Sequence, residues 1–125
     1  MRRRKLARPV IRPATRADLD KFYPPGKFKS TVTATVGLIR GKIIGCGGVA
    51  HVDGKTVAFC DFYPLARRYK VSIVRAAMKV IAEAKARHRV IYTELDPDEP
   101  GAERWVKSLG FEPTMQPRIF RWIAK

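Results

Sequence analysis

Glycine is missing from the middle of this chain: none occurs between Gly54 and Gly101. Without glycine a backbone has no cheap access to positive φ, so a tight main-chain cradle for an anion is not expected there. Acidic residues are scarce too, 11 against 26 lysines and arginines, which gives a formal net charge of +15. That imbalance points to an anionic partner such as nucleic acid, phosphate or a membrane surface, and charge does not choose among them. Only Cys46 and Cys60 are present. Two cysteines exclude a disulfide scaffold and lack metal-ligand spacing, so both are expected to be buried thiols. His51 and His88 fall in no HExxH-type motif, and no metal is expected. No run approaches the roughly 20 apolar residues of a membrane span, and no apolar stretch of roughly 7–15 residues follows the first charges as in a signal peptide. These absences predict an intracellular, cytoplasmic protein without a membrane partner.

What is there fits one domain, since 125 residues at 46% apolar content supply a single core. The opening "MRRRKLAR" holds five cations in eight residues, so residues 1–8 read as a basic, flexible arm able to lie along phosphates, or as a solvated tail. Residues 9–125 read as the domain. "PVIRPAT" is a short extended segment, and Thr15 with Asp18 three residues on marks the start of a helix that "YPPG" ends. "STVTATVGLIR" is β-branched and predicts a strand; a turn at Gly41 and Lys42 leads into "IIGCGGVAHV", and "DGK" at 53–55 turns the chain back through "TVAFCDFY". Gly45, Gly47 and Gly48 mark a bulge or a close backbone approach within the second run.

From Lys70 to Arg87, apolar residues at Ile73, Val74, Ala77, Met78, Val80, Ile81 and Ala84 follow helical spacing. "RVIYTELD" predicts a buried strand, and "AERWVKSLG" a short helix with Gly110 past its end. "RIFRWIAK" predicts a final strand covered on both faces, available as an edge to a second chain. The fold class is α+β, or mixed α/β, with one mostly antiparallel sheet against helices.

In this order the pieces resemble the GNAT family of acyl-coenzyme A-dependent N-acyltransferases. The likeness is carried by "IRPATRADLDKF", the meander "GLIRGKIIGCGGVAHVDGKTVAFCDFYP", the helix with "VIYTELD" after it, and "AERWVKSLGFEPT" with its "LGFE" ending. The resemblance implies splayed fourth and fifth strands, here "AFCDFYPL" and "VIYTELD", with the cofactor's pantetheine arm in the gap. It implies acetyl-coenzyme A as cofactor, held by Phe62, Tyr63, Pro64 and Leu65 on the strand side and by Arg67, Arg68, Lys70, Val71 and Ser72 at the phosphates. The family's phosphate loop has the form (Arg/Gln)-x-x-Gly-x-(Gly/Ala); "RRYKVS" or "RYKVSI" stands here without glycine. Arg67, Arg68, Lys70 and Arg75 instead gather charge at a helix start, either as a cation-assisted phosphate site or as a solvated turn.

Acyl transfer to an amine needs a base and an acid. Asp61 and Glu94 are the candidate bases, with ion pairing to a nearby arginine as the alternative role for each. Alternation places Asp61 with Tyr63 and Glu94 with Tyr92, so either tyrosine is a candidate acid or a packed edge residue. The resemblance puts the family's usual acid, a tyrosine, at Val106. "ELDPDEPGAE" is a negative patch that either attracts an amine or caps a helix. Two functional classes follow: an N-acetyltransferase acting on an amine, or a non-catalytic protein of the same fold serving as a nucleic-acid-associated or structural component, for example of a virion. A dedicated nucleic-acid module has less support, with no aromatic RNP strand, helix-turn-helix or zinc spacing.

Overall fold

Two tight turns fix the register of the sheet's centre. Arg40, Gly41, Asp53 and Gly54 all have positive φ, the two-residue hairpin geometry whose twist matches that of strands. They join β2 (Val32–Ile39), β3 (Lys42–Val52) and β4 (Lys55–Phe62) into an antiparallel meander. The first turn falls one residue earlier than the sequence suggests, because Lys42 already pairs with Ile39. The computed structural model describes residues 8–28 and 31–125. The basic arm predicted at 1–8 therefore lies outside the described residues except for Arg8.

Ahead of the meander, β1 (Val10–Pro13) pairs antiparallel with β2, and α1 (Arg16–Phe22) follows. Thr15 and Asp18 form the reciprocal capping box that the sequence predicts. Arg12 grips the Asp18 carboxylate with both guanidinium nitrogens, at 2.6 and 3.0 Å. This grip, with the Thr15 backbone N–H, holds Asp18 well below the usual carboxylate range. Past β4, a 3-10 turn over Pro64–Tyr69 runs directly into α2 (Lys70–Arg87), which crosses to β5 (Val90–Glu94). The chain closes with α3 (Ala102–Ser108), β6 (Glu112–Pro113) and β7 (Ile119–Ile123). No helix among the described residues is long and apolar enough to cross a membrane.

These strands make one 7-stranded sheet in the order β1-β2-β3-β4-β5-β7-β6. Every neighbouring pair is antiparallel except β4 with β5, the one junction made by a helical crossover. Two sequence expectations change here. β7 lies inside the sheet, between β5 and the two-residue β6, and is not an edge strand. It is also covered on one face only: Phe120 is buried while Arg121 and Ile123 are exposed.

The core sits mainly on the α2 side, where Ala84 and Ile81 meet Val49, Ala58, Ile91, Val106, Phe111 and Phe120. On the other side α1 brings Leu19 and Tyr23 onto Val36, Leu38 and Cys46. A third cluster, Ile39, Ile44 and Ala66, seats the 3-10 turn. Gly48 leaves no room for a side chain against β2, since a Cβ there would stand 2.1 Å from the Thr33 carbonyl oxygen. The close approach expected among these glycines is at this position, and the bulge is beside Gly45, where the register of β2 on β3 shifts past Ile44.

Candidate functional site at the divided sheet

The parallel junction is short. β4 and β5 are in register only at Val57↔Tyr92 and Ala58↔Thr93, and beyond Ala58 the strands part. Hydrogen-bond direction along β4 follows from its hairpin. A two-residue turn makes Val52 and Lys55 a bonded pair, and bonded pairs then alternate. Tyr63 donates to the Ile44 carbonyl at 2.9 Å, in step with that alternation. Residues 57, 59 and 61 thus face β3, and Ala58, Cys60 and Phe62 direct their N–H and C=O groups toward β5. Thr93 Oγ1 donates to the Ala58 carbonyl at 3.0 Å and closes the paired end. Cys60 and Phe62 face the gap.

Their side chains explain two of the glycines. A Cβ at Gly47 would lie 3.2 Å from Cys60 Sγ, and one at Gly45 would lie 3.0 Å from the Phe62 ring. Each glycine leaves room for the side chain across from it. Cys46 is buried as expected, but Cys60 is exposed, because β5 no longer covers β4 at that level. Burial pushes the Cys46 thiol up to about 11.

An open cleft of about 2080 Å³ is lined by residues from both faces of the sheet at this gap. On the α2 side it is lined by Ala66, Arg67, Lys70 and Ile73, and on the α1 side by Phe28, Asp61, Tyr92 and Glu94. Among the predicted cofactor residues, Phe62, Tyr63, Pro64, Arg67 and Lys70 line it. Leu65 turns instead into the cluster with Ile39 and Ile44. Arg68 and Val71 are exposed, and Ser72 is half-buried on α2, none of them on the cleft wall.

The glycine-free stretch has a structural counterpart. Among the described residues no positive φ occurs between Gly54 and Gly101. The residues where a phosphate loop would run are wound into the 3-10 turn and the first turn of α2. Among the described residues this stretch offers no backbone nest for an anion, only side-chain cations. Arg67 meets Glu99 at 3.5 Å, so one carboxylate of the acidic patch bridges the mouth of the gap. Glu103 pairs with Lys107 on α3.

The candidate bases share a face. Asp61 accepts a hydrogen bond from Tyr23 Oη at 2.7 Å, and Tyr63 packs on Phe22 with ring centroids 4.7 Å apart, so both point to the α1 side as alternation predicts. Val57 of that face pairs with Tyr92, which places Tyr92 and Glu94 there too. Asp61 and Glu94 therefore flank the gap from opposite strands on one side of the sheet. Burial, then the Asp61 acceptor, raises the Tyr23 phenol well above its ordinary value, so it stays a donor. Lys55 Nζ lies 5.1 Å from the centre of the Tyr92 ring. Val106 is packed in the main core, so α3 presents no acid at that position.

Sequence reasoning missed Tyr23 and Thr93, and it read Glu99 as part of the acidic patch without its partner Arg67. Tyr23 sits at the C-terminal cap of α1, 38 residues from its partner Asp61, and no local pattern joins them. No grouping of histidine, cysteine and carboxylates suited to a metal occurs among the described residues.

No family model matches the chain, and no curated protein matches it by sequence. Solved structures do match its shape. The ribosomal-protein-S18-alanine N-acetyltransferase from Escherichia coli superposes with TM-score 0.64 at 18% identity, over 94% of this chain and 95% of that one. An acetyltransferase of the GNAT family from Staphylococcus aureus Mu50 does so with TM-score 0.59 at 16% identity, over 87% and 78%. The AtaT Y144F mutant toxin, bound to the C-terminus of the antitoxin AtaR and acetyl-CoA, gives TM-score 0.50 at 14% identity, over 92% of each chain. With its seven strands in this order and the parting of β4 from β5, the chain has the fold of the GNAT acetyltransferases.

Proposed function

We propose that the chain is an N-acetyltransferase that takes its acetyl group from acetyl-coenzyme A and passes it to an amine. The observation that carries this reading is the unpaired edge of β4 at Cys60 and Phe62, beside a cleft lined from both faces of the sheet. An amide-bearing arm fits such an edge as an added strand. Pantetheine has that chemistry, and Arg67 and Lys70 on the cleft wall, with Arg68 beside them, suit phosphates. When bound, acetyl-coenzyme A supplies an acyl group activated as a thioester.

The chain's own residues then have defined tasks. Cys60 and Phe62 orient the arm through main-chain hydrogen bonds. Asp61, held on one oxygen by Tyr23, takes the acceptor ammonium's proton directly or through water. Glu94 stands across the gap as the second carboxylate able to do so. With Val106 in the core, Tyr92 and water entering the open cleft are the proton donors that the site supplies.

A second reading, a binding protein of this fold without catalysis, is favoured by the helical turn in place of a phosphate nest and by the charge of +15. Calorimetry and thermal shift with acetyl-coenzyme A separate the two, because a ligand at 100 times its Kd stabilises the fold by about 2.7 kcal/mol. Thiol release with an amine panel then reads catalysis. No binding at millimolar acetyl-coenzyme A sinks the enzyme reading, and a steep salt slope for DNA in its place supports the second.

A further inference from the structure

On the α1 side, β5 and β7 carry no helix among the described residues, and the cleft spreads over this bare face. It is lined there by Lys55, Val57, Tyr92, Glu94, Ile119 and Arg121. The charges that line the cleft on this face are sorted by position, Glu112 of β6 lying outside the cleft wall. Asp61 and Glu94 stand at the open end of the gap, and Lys55 and Arg121 stand toward the paired end. Arg121 is directly opposite Tyr92, and Tyr92 opposite Val57, so the three share one level of the sheet. Lys55, two residues before Val57, reaches over the Tyr92 ring at 5.1 Å. Among the described residues neither cation is ion-paired, and neither is Asp61 or Glu94. These four charges of two signs lie on one exposed wall, with Glu112 of β6 directly opposite Arg121 on the same face and not ion-paired with it.

Strand geometry gives the spacing. Glu94 is two residues beyond Tyr92 on β5 and Asp61 four beyond Val57 on β4, so the carboxylates lie about 7 to 13 Å from the cation level along the strands at about 3.3 Å per residue. An extended peptide covers that span in about two to four residues. The path between is apolar, formed by Val57, Ile119 and the Tyr92 ring, which suits peptide side chains better than a sugar–phosphate chain.

We infer that the acceptor is a peptide amino terminus with an acidic side chain two to four residues downstream, the amine directed to Asp61 and Glu94 and the acid held by Lys55 and Arg121. The inference rests on the acetyltransferase reading for the fate of the amine; recognition by the face is testable without it. C-terminally labelled, amidated alanine peptides with one aspartate moved from position 2 to position 6, and a lysine counterpart at position 4, are titrated against the whole chain by fluorescence anisotropy. The same peptides are then used in thiol release with acetyl-coenzyme A. Aspartate at positions 3 to 5 is expected to tighten binding about tenfold over the all-alanine peptide, the scale of a charge-assisted contact, and lysine to weaken it. Lys55→Glu with Arg121→Glu should reverse that order, and Lys55→Gln with Arg121→Gln, milder changes at exposed positions, should abolish the preference while the melting temperature holds. Equal binding of all peptides, or a preference that survives both variants, overturns the inference even where acetyl-coenzyme A is turned over. Displacement of the peptides by an oligonucleotide, with no aspartate preference, overturns it in favour of a phosphate carrier. A preserved aspartate preference without acetyl-coenzyme A binding supports the face as a peptide site and sinks only the acetyltransferase reading.

Discussion

Cys60 and Asp61 are adjacent on β4 but point their N–H groups in opposite directions, and proline tests that difference. At Asp61 the ring removes a donor from the β3 ladder and orphans its carbonyl partner, which costs about 1–3 kcal/mol beyond the loss of the side chain measured by Asp61→Ala. For a chain of this length each kcal/mol lowers the melting temperature by about 3–5 °C. At Cys60 the N–H faces the gap, so Cys60→Pro should unfold within about 1 kcal/mol of Cys60→Ala, as proline does on a free strand edge. The loss appears in ligand binding instead. One net main-chain hydrogen bond is worth about 0.5–1.5 kcal/mol, so the acetyl-coenzyme A affinity of Cys60→Pro should fall about 2- to 13-fold below that of Cys60→Ala. Thermal unfolding and calorimetric titration of the four variants read both quantities. Equal destabilisation by the two prolines would refute the alternation assigned to β4. Unchanged affinity in Cys60→Pro would remove the strand edge from the cofactor site.

Other outcomes follow from geometry already described. Gly48→Ala forces β2 and β3 apart, because its Cβ would meet the Thr33 carbonyl at 2.1 Å; overpacking of this kind costs about 1–3 kcal/mol or more, visible as a lower melting temperature. Asp18 has a folded pKa below its unfolded one, so its contribution is fully present above about pH 4 and is lost as pH falls through the folded value. Asp18→Asn should therefore lower stability at pH 7 by about 1–2 kcal/mol, the scale of a lost cap, and flatten the acid limb of the unfolding curve. Arg67→Ala with Lys70→Ala should weaken acetyl-coenzyme A binding and reduce its dependence on salt, since exposed charges are screened over about 8–10 Å. Val106→Tyr, which puts a tyrosine where the resemblance places an acid, should destabilise without activating, because that side chain is buried among Ile91, Phe111 and Phe120.

Local signals were enough where one segment decides its own structure. The Thr15–Asp18 box, the two hairpins and α2 were readable because capping, turn chemistry and helical spacing act over a few residues. The lack of glycine after Gly54 was informative for the same reason, and it corresponds to a helical turn without positive φ. What depends on distant partners was not readable. Nothing near Tyr23 signals Asp61, and Cys60 is exposed although its type and its strand suggest burial, because the neighbouring strand turns away only two residues before it. β6 is too short to leave a pattern, yet it moves β7 off the sheet edge. The position of the gap came from the resemblance; its hydrogen-bond directions came from the register.

The junction of β4 and β5 also has a mechanical meaning. Two registered pairs, Val57↔Tyr92 and Ala58↔Thr93, carry the sheet across its midline, against eight between β3 and β4. An extended molecule seated against Cys60 and Phe62 would add rungs where only two cross the midline, so its backbone becomes part of the load path between the two halves. Loading the site and completing the sheet are then one event.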